Sequence, residues 1–505
     1  MDTIIKRRNR GVIKPIEIKS EKHEKGDTSS DDEEPLSPGS VIFHRPTFDI
    51  HILAILGCKV PINVDVLKEK LPLTLLKHPR FSSLVVGDAS KGEELKWVRT
   101  KVDINKHIII PQINTNNINS PQTFIEDYIY NLSKTTLPKS RPLWDLHILQ
   151  ISPSEDSQPV GLFRIHHSLG DGSSLVSLLL ALTRKTSDPK ALPSIPVRKT
   201  RENENGPCRG GWFWKWVLAL WRVLTLVWNT VVDVGFFIAT MVFLKDDSPL
   251  KVPTRVFTPR RVVYRIVSLD DLKFVKNAMG TTINDVALGI TEAGLSMYLS
   301  RKYGNEGNKH KSREQINKIL KKIRLRSVLL INIRPSGGIQ ALADMMEKNA
   351  EAKWGNAVGY VLLPFNLQLR DDPLDYVREA KATVDRKKNS LEALYTYAIA
   401  QLVMKLFGPK VASEMSHRIN SHTTMCFSNL VGPLEEIGFY GHPLAFIAPT
   451  SYGQPHGLMI NFQSYEKKMT IVISVDEDTI NDPKQLCDDI VESLKLVKSA
   501  LISQG

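Results

Sequence analysis

Two adjacent histidines, His166 and His167, precede Asp171 and Gly172 in the run HHSLGDG. Imidazole titrates near neutrality, so one such ring can take a proton from a weak nucleophile while a nearby carboxylate orients it or holds the turn. The residues before the run, VGLFRI (160–165), have the apolar character of a short buried strand. Those after it, LVSLLLALTRK, read as a helix that Ser173 or Ser174 can cap. The histidines are therefore expected on a strand-to-helix turn, a common seat for reactive groups. Neighbouring side chains at a strand end point to opposite sides, so one histidine should face a cleft and the other should pack. A His pair with an Asp is also a set of metal ligands, but helical ligand pairs stand at i, i+4, and no metal is assigned here.

The elements that must hold this turn come from a chain of 505 residues, 42% hydrophobic and 24% charged, which is enough for a large core and excludes a mainly disordered protein. Residues 1–34 mix charged and small residues without apolar periodicity and read as a disordered leader. Folded sequence begins near Pro35, with a β-rich run FDIHILAIL and a helix over 64–77. Residues 184–211 read as an exposed connection, and 201–250 as a linker between two domains, 35–200 and 251–505. Strand and helix patterns alternate in both halves: RVVYRIVS, DDLKFVKNAM, INDVALGITEAGLSMYLS, a basic loop, SVLLINIR, AVGYVLLPF, and a closing LMINF, MTIVISV and CDDIVESLKLVKSAL. This is a mixed α/β order.

The net charge is +13, and residues 301–326 hold ten Lys or Arg against Glu306 and Glu314. That stretch reads either as a solvated loop or as a place for an anionic head group or phosphate. Tyr303 is its sole aromatic, so nucleic acid is not an expected partner. Cys58, Cys208, Cys426 and Cys487 are scattered, which fits a reducing, cytosol-facing setting, and the N-terminus has no signal-peptide run.

Five of the eight tryptophans, Trp212, Trp214, Trp216, Trp221 and Trp228, fall in one apolar segment, 211–244. Residues 223–244 are long enough to span a bilayer, with about 6 kcal/mol favouring insertion against about 3 for the central Asp233. Lys215, Arg222, Asn229 and Asp233 fall on one helical stripe. A narrow polar stripe with a wide aromatic face suits a monotopic anchor; a true span and a core helix between domains are the alternatives.

The motifs PLSP (35–38), HPRF (78–81), PLW (142–144), HHSLGDG (166–172), IND (283–285), NIRP (332–335), WGN (354–356) and SNLVGP (428–433) occur in this order. By them the chain resembles the wax ester synthase/diacylglycerol acyltransferase family, within the CoA-dependent acyltransferases carrying H-x-x-x-D, over residues 35 to 505. The D-F-G-W-G motif of relatives that acylate soluble metabolites does not occur. The resemblance implies two chloramphenicol acetyltransferase-like α/β domains with mixed sheets, forming a pseudo-dimer with an interdomain tunnel. It implies His167 as general base, with His166 and Asp171 completing the motif and Asp171 orienting the loop through an ion pair, for which Arg334 is a candidate. Gly172 and Asn332 join the positioning set. Asn284 is a candidate for stabilising the tetrahedral intermediate, with Asp285 holding its turn, and Asn429, Gly432 and Pro433 for shaping the tunnel. The implied reaction moves a long-chain acyl group from acyl-CoA, a co-substrate, to a fatty alcohol or diacylglycerol, with no cofactor, at the cytosolic face of the endoplasmic reticulum or plasma membrane. A transferase for a soluble alcohol or amine, and a silent lipid-binding scaffold, are the rival readings.

Overall fold

The computed structural model describes residues 33–87, 93–113, 120–151, 158–196, 212–252, 258–304, 311–333, 338–348 and 354–504. Two mixed sheets dominate it. The first has seven strands in the spatial order Ile108–Ile109, Trp144–Leu149, Val160–His166, His51–Cys58, His442–Tyr452, Ile437–Phe439 and Thr183–Lys185. The second has six: Val358–Phe365, Leu325–Asn332, Met425–Leu430, Leu458–Tyr465, Lys468–Asp476 and Arg260–Ser268. A small third sheet pairs Glu33–Pro35 with Lys96–Arg99, so ordered pairing begins at the edge of the expected leader, whose residues 1–32 lie outside the described residues.

The strand and helix patterns of the second half form where the periodicity placed them. What periodicity could not show is which sheet each strand joins. His442–Tyr452 pairs along its length with His51–Cys58, from Tyr452 opposite His51 to Leu444 opposite Cys58. Helix Gly338–Lys348 packs Ile339, Leu342 and Met346 into the core of the first sheet. A division at residues 200 and 251 therefore does not separate the two sheets. Leu53, Ile55, Leu162 and Phe446 of the first sheet meet Val262 and Val472 of the second in one apolar cluster, which fixes the sheets against each other.

Three local expectations change. The helix expected over 64–77 is Val64–Leu73, begun by Asn63, whose side chain accepts from the backbone N–H of Asp65 and Val66. Pro72 supplies no N–H and crowds the preceding turn, and Leu75–Lys77 continues as a 3-10 turn. The basic stretch is not all loop: Ser312 and Gln315 form a reciprocal capping box that starts helix Arg313–Leu320. Within the same stretch Arg326 is buried, its Nε 2.6 Å from Asp246 Oδ1.

Helix Trp212–Val242 carries the tryptophan-rich segment and is the one described helix long and apolar enough to cross a membrane. Its two halves differ. All five indoles are exposed, from 60% for Trp214 to 76% for Trp212. Asn229, Thr230, Asp233, Phe237 and Thr240 are buried. Asp233 receives Arg386 Nη2 at 2.8 Å and Lys387 Nζ at 2.9 Å, and Asn229 donates to the Asn389 carbonyl at 3.1 Å. The C-terminal half of the polar stripe, Asn229 and Asp233, thus faces the protein itself, while Lys215 and Arg222 are exposed.

Candidate active site

The strand Val160–His166 delivers the histidine doublet. Its register sets His166 opposite His51, and the His167 backbone N–H donates to the Ile50 carbonyl at 2.9 Å. The chain then makes one 3-10 turn, His167–Leu169, before Asp171 opens helix Gly172–Ala181. The cap is Asp171 rather than Ser173 or Ser174. Its Oδ1 accepts from the Ser174 backbone N–H and from the Ser173 hydroxyl, each at 2.9 Å. A carboxylate beside the positive end of the helix is the stronger cap, and both serines become its donors.

The two rings separate as alternation requires. His166 is buried and tied: Ser168 donates from its backbone N–H to His166 Nδ1 at 3.3 Å, so Nε2 carries the proton and donates to Asp49 Oδ1 at 2.9 Å. Its ring also lies 4.7 Å from that of His44 and 5.2 Å from that of His51. His167 stacks on Phe43, with ring centres 4.2 Å apart, and lines a cavity of about 130 Å³. The ring is half-buried at this cavity, with Nδ1 fully enclosed. Burial lowers its pKa from 6.5 to about 4, against the opposing field of Asp171. The ring is therefore neutral, and able to accept a proton, at physiological pH.

The cavity lies at the junction of the two sheets. Phe43 and Ile50 line it from the first half, and Leu330, Tyr360, Cys426 and Met459 from strands of the second sheet. Several distant motifs converge on the histidine turn. Asn356 donates to the His167 carbonyl at 3.1 Å and to Ser40 Oγ at 3.3 Å, and Ser40 donates to the Ser168 carbonyl at 2.8 Å. Trp354 Nε1 donates to the Leu169 carbonyl and its ring meets that of His78 edge-on. Gly170 sits so close to this indole that a Cβ would lie 2.8 Å from Trp354 Cζ2. Asn332 Nδ2 donates to Ser173 Oγ at 2.7 Å, joining the second sheet to the Asp171 cap.

Of the residues singled out in the sequence, the fold gathers His166, His167, Asp171, Gly172 and Asn332 at one turn. Arg334 lies outside the described residues. Asn284, Asp285 and Asn429 are not among the residues that line the His167 cavity. Asp285 accepts from the Thr282 backbone N–H at 2.8 Å, starting helix Ile283–Gly304, and Asn429 donates to Asn284 Oδ1 at 3.0 Å. The reason is the two-residue period of strand Met425–Leu430. Asn429 shares a face with Met425 and Phe427, which pack into the second core, whereas Cys426 on the opposite face lines the cavity. The expectation that Asn284 stabilises charge beside His167 finds no support in this geometry. Gly432 is explained by close approach, since a Cβ would fall 2.0 Å from the Ser464 carbonyl oxygen. Asn356, Trp354, Ser40, Phe43 and Asp49 carry the turn without having been assigned roles. WGN and PLSP were visible as motifs, but nothing in their spacing points at the histidines.

The arrangement, a neutral imidazole in an apolar cavity between two mixed sheets, has counterparts among known proteins. A family model described as the wax ester synthase/diacylglycerol acyltransferase catalytic domain matches residues 49–287, and one described as the WS/DGAT C-terminal domain matches 354–498. Wax ester synthase/diacylglycerol acyltransferase 11 of Arabidopsis thaliana is 46% identical over 479 residues, covering 94% of this chain and 96% of that protein. Among solved structures, the wax ester synthase/diacylglycerol acyltransferase from Marinobacter aquaeolei VT8 superposes with a TM-score of 0.57 at 14% identity, over 93% of this chain and all of that one. The first condensation domain of the calcium-dependent antibiotic synthetase gives 0.56 at 12% identity, over 94% and 97%. These structural likenesses bear out the expected chloramphenicol acetyltransferase-like α/β fold with mixed sheets. With near full-length identity to a curated relative added to the motifs and the fold, the chain belongs to the wax ester synthase/diacylglycerol acyltransferase family.

Proposed function

We propose that the protein transfers a long-chain acyl group from acyl-CoA to the hydroxyl of a membrane lipid, a fatty alcohol or a diacylglycerol, with His167 as general base. The observation that carries this reading is the His167 ring, neutral and lining an apolar cavity at the junction of the two sheets. An acceptor hydroxyl in that cavity gives its proton to the imidazole as its oxygen bonds to the thioester carbonyl carbon. The tetrahedral intermediate collapses with cleavage of the C–S bond, and the imidazolium returns its proton to the CoA thiolate. The products are an ester and CoA, and no resident cofactor enters the scheme. Water is the competing acceptor, and a lining that includes Phe43, Leu330 and Met459 favours an aliphatic chain over it. Asp171, Asn332, Asn356 and the Asp49–His166 pair act as positioning residues that hold the turn.

We place this activity at the cytosolic face of the endoplasmic reticulum or plasma membrane, with helix Trp212–Val242 as a monotopic anchor. Its support is the division of that helix: indoles outward, Asp233 and Asn229 inward on protein partners. Such a helix can lie in the head-group plane with no charge brought into hydrocarbon.

The test is release of CoA thiol from palmitoyl-CoA with hexadecanol or dioleoylglycerol, the lipid products being separated by chromatography. Ester formed in step with CoA is expected. Lipid binding without CoA release, or a soluble alcohol outcompeting both lipids, would overturn the reading.

A further inference from the structure

Helix Glu392–His422 is broken at Gly408, where φ is +76° and Pro409 follows. Its two parts meet different surroundings. Beyond the break, Ala412, Met415, Ile419 and Asn420 are buried. Before it only Glu392 and Thr396 are, while Leu394, Tyr395, Leu402, Leu406 and Phe407 each expose half or more of their surface. Tyr397, Ala400, Gln401 and Met404 of this first part line the His167 cavity, while Tyr395, Leu402 and Leu406 fall on the far side of the helix. Offsets of three, four and seven residues put those four on one helical face. A single helix, about 10 Å across, therefore stands between the imidazole's cavity and an apolar exterior.

The same part of the helix meets the anchor. Ile399, Ala400 and Val403 share one apolar cluster with Phe237 and Met241 of helix Trp212–Val242, so the two helices adjoin. Exposed Lys405 and Lys410 flank the break. Large apolar side chains beside ammonium groups match the boundary layer of an anionic bilayer, with acyl chains for the first and phosphates for the second. Gly408 leaves this part of the helix free to sit at its own angle to the buried part.

We propose that residues 393–411 lie in the interfacial layer of an anionic membrane and form the lipid-side entrance to the His167 cavity, so that the acceptor reaches the imidazole laterally from the bilayer. This rests on the reading of the acceptor as a membrane lipid.

The test pairs two substrates with one variant, Leu402→Gln, Leu406→Gln, Phe407→Gln, in the full chain. These side chains are exposed, so their exchange leaves the core intact. Transfer from palmitoyl-CoA to hexadecanol in phosphatidylcholine/phosphatidylserine vesicles should fall by about tenfold or more, while transfer from octanoyl-CoA to hexanol in solution stays within about twofold. In the wild-type protein, amide hydrogen exchange over 393–411 should slow on adding phosphatidylserine vesicles and not on adding glycerophosphoserine, the free head group. Unchanged vesicle activity, an equal loss with both acceptors, or no protection over 393–411 would overturn the inference. So would wild-type dimers that the variant turns to monomers with vesicle activity intact, since the face would then serve a second copy. If the wild type released no CoA with either acceptor, the proposed function itself would fail, a result distinct from all of these.

Discussion

Two polar turns open helices in this protein, and in sequence they look alike. HHSLGDG leads into Gly172–Ala181 and TTIND into Ile283–Gly304, each with an aspartate at the helix start. The second turn, held by Asp285 on the Thr282 backbone N–H and by Asn429 on Asn284, does not line the His167 cavity. The first is braced from four directions, by Asp49, Ser40, Asn332 and Asn356, and presents the His167 ring to a cavity. A polar cluster becomes a reaction site when its scaffold presents one group to a cavity, because that group gains a hydrogen bond when substrate enters.

The largest expected effect puts that contrast in numbers. His167→Ala should lower kcat/KM for hexadecanol by about 1,000-fold, whereas Asn284→Ala should cost under about fivefold in rate and show itself in a lower Tm. An Asn284→Ala loss approaching that of His167→Ala would erase the distinction between the turns. Next comes Asn356→Ala, which frees the His167 carbonyl and Ser40 together. It should reduce kcat by about 10- to 100-fold with KM little changed, as for a residue that positions a base. Asp49→Asn, which keeps the shape but weakens the hold on His166 Nε2, should cost about tenfold in kcat.

The smallest effect is on stability against pH. Burial lowers the pKa of His44 to about 2, of His51 and His78 to about 3, and of His167 to about 4, each from 6.5. Below pH 6.5 the unfolded chain binds protons that these native rings refuse, so stability falls as pH drops from 6.5 toward 4. Each ring contributes up to about 1.4 kcal/mol per pH unit. All four lie around the first turn, and the Ile283 turn has no histidine. Denaturant midpoints between pH 7 and 5 should fall less steeply in His51→Gln than in the wild type. An equal slope would remove His51 from this set.

Much of this contrast was legible in sequence. Alternation along VGLFRI put the two histidines on opposite sides, and the three-dimensional arrangement assigns the cavity to His167. The seven-residue and four-residue steps from Lys215 to Asp233 placed a polar stripe on the tryptophan-rich helix, and its Asn229 and Asp233 are the buried ones. Three things were not legible. Pairing partners are non-local, so His442–Tyr452 could not be assigned to the first sheet from its own pattern. The side of strand Met425–Leu430 on which the cavity lies depends on sheet packing, and it decides that Cys426, not Asn429, lines it. The bracing of the turn by Asn356 joins residues 189 positions apart, and no local periodicity encodes that.

The most direct test of His167 as a base is CoA release from palmitoyl-CoA and hexadecanol by His167→Ala, at wild-type levels of folded, membrane-attached protein, without and with free imidazole. Release at background without imidazole and a saturable rise with it are expected, since the small base refills the site that the substitution vacates. Turnover by His167→Ala within about tenfold of the wild type, with no imidazole present, would contradict the account.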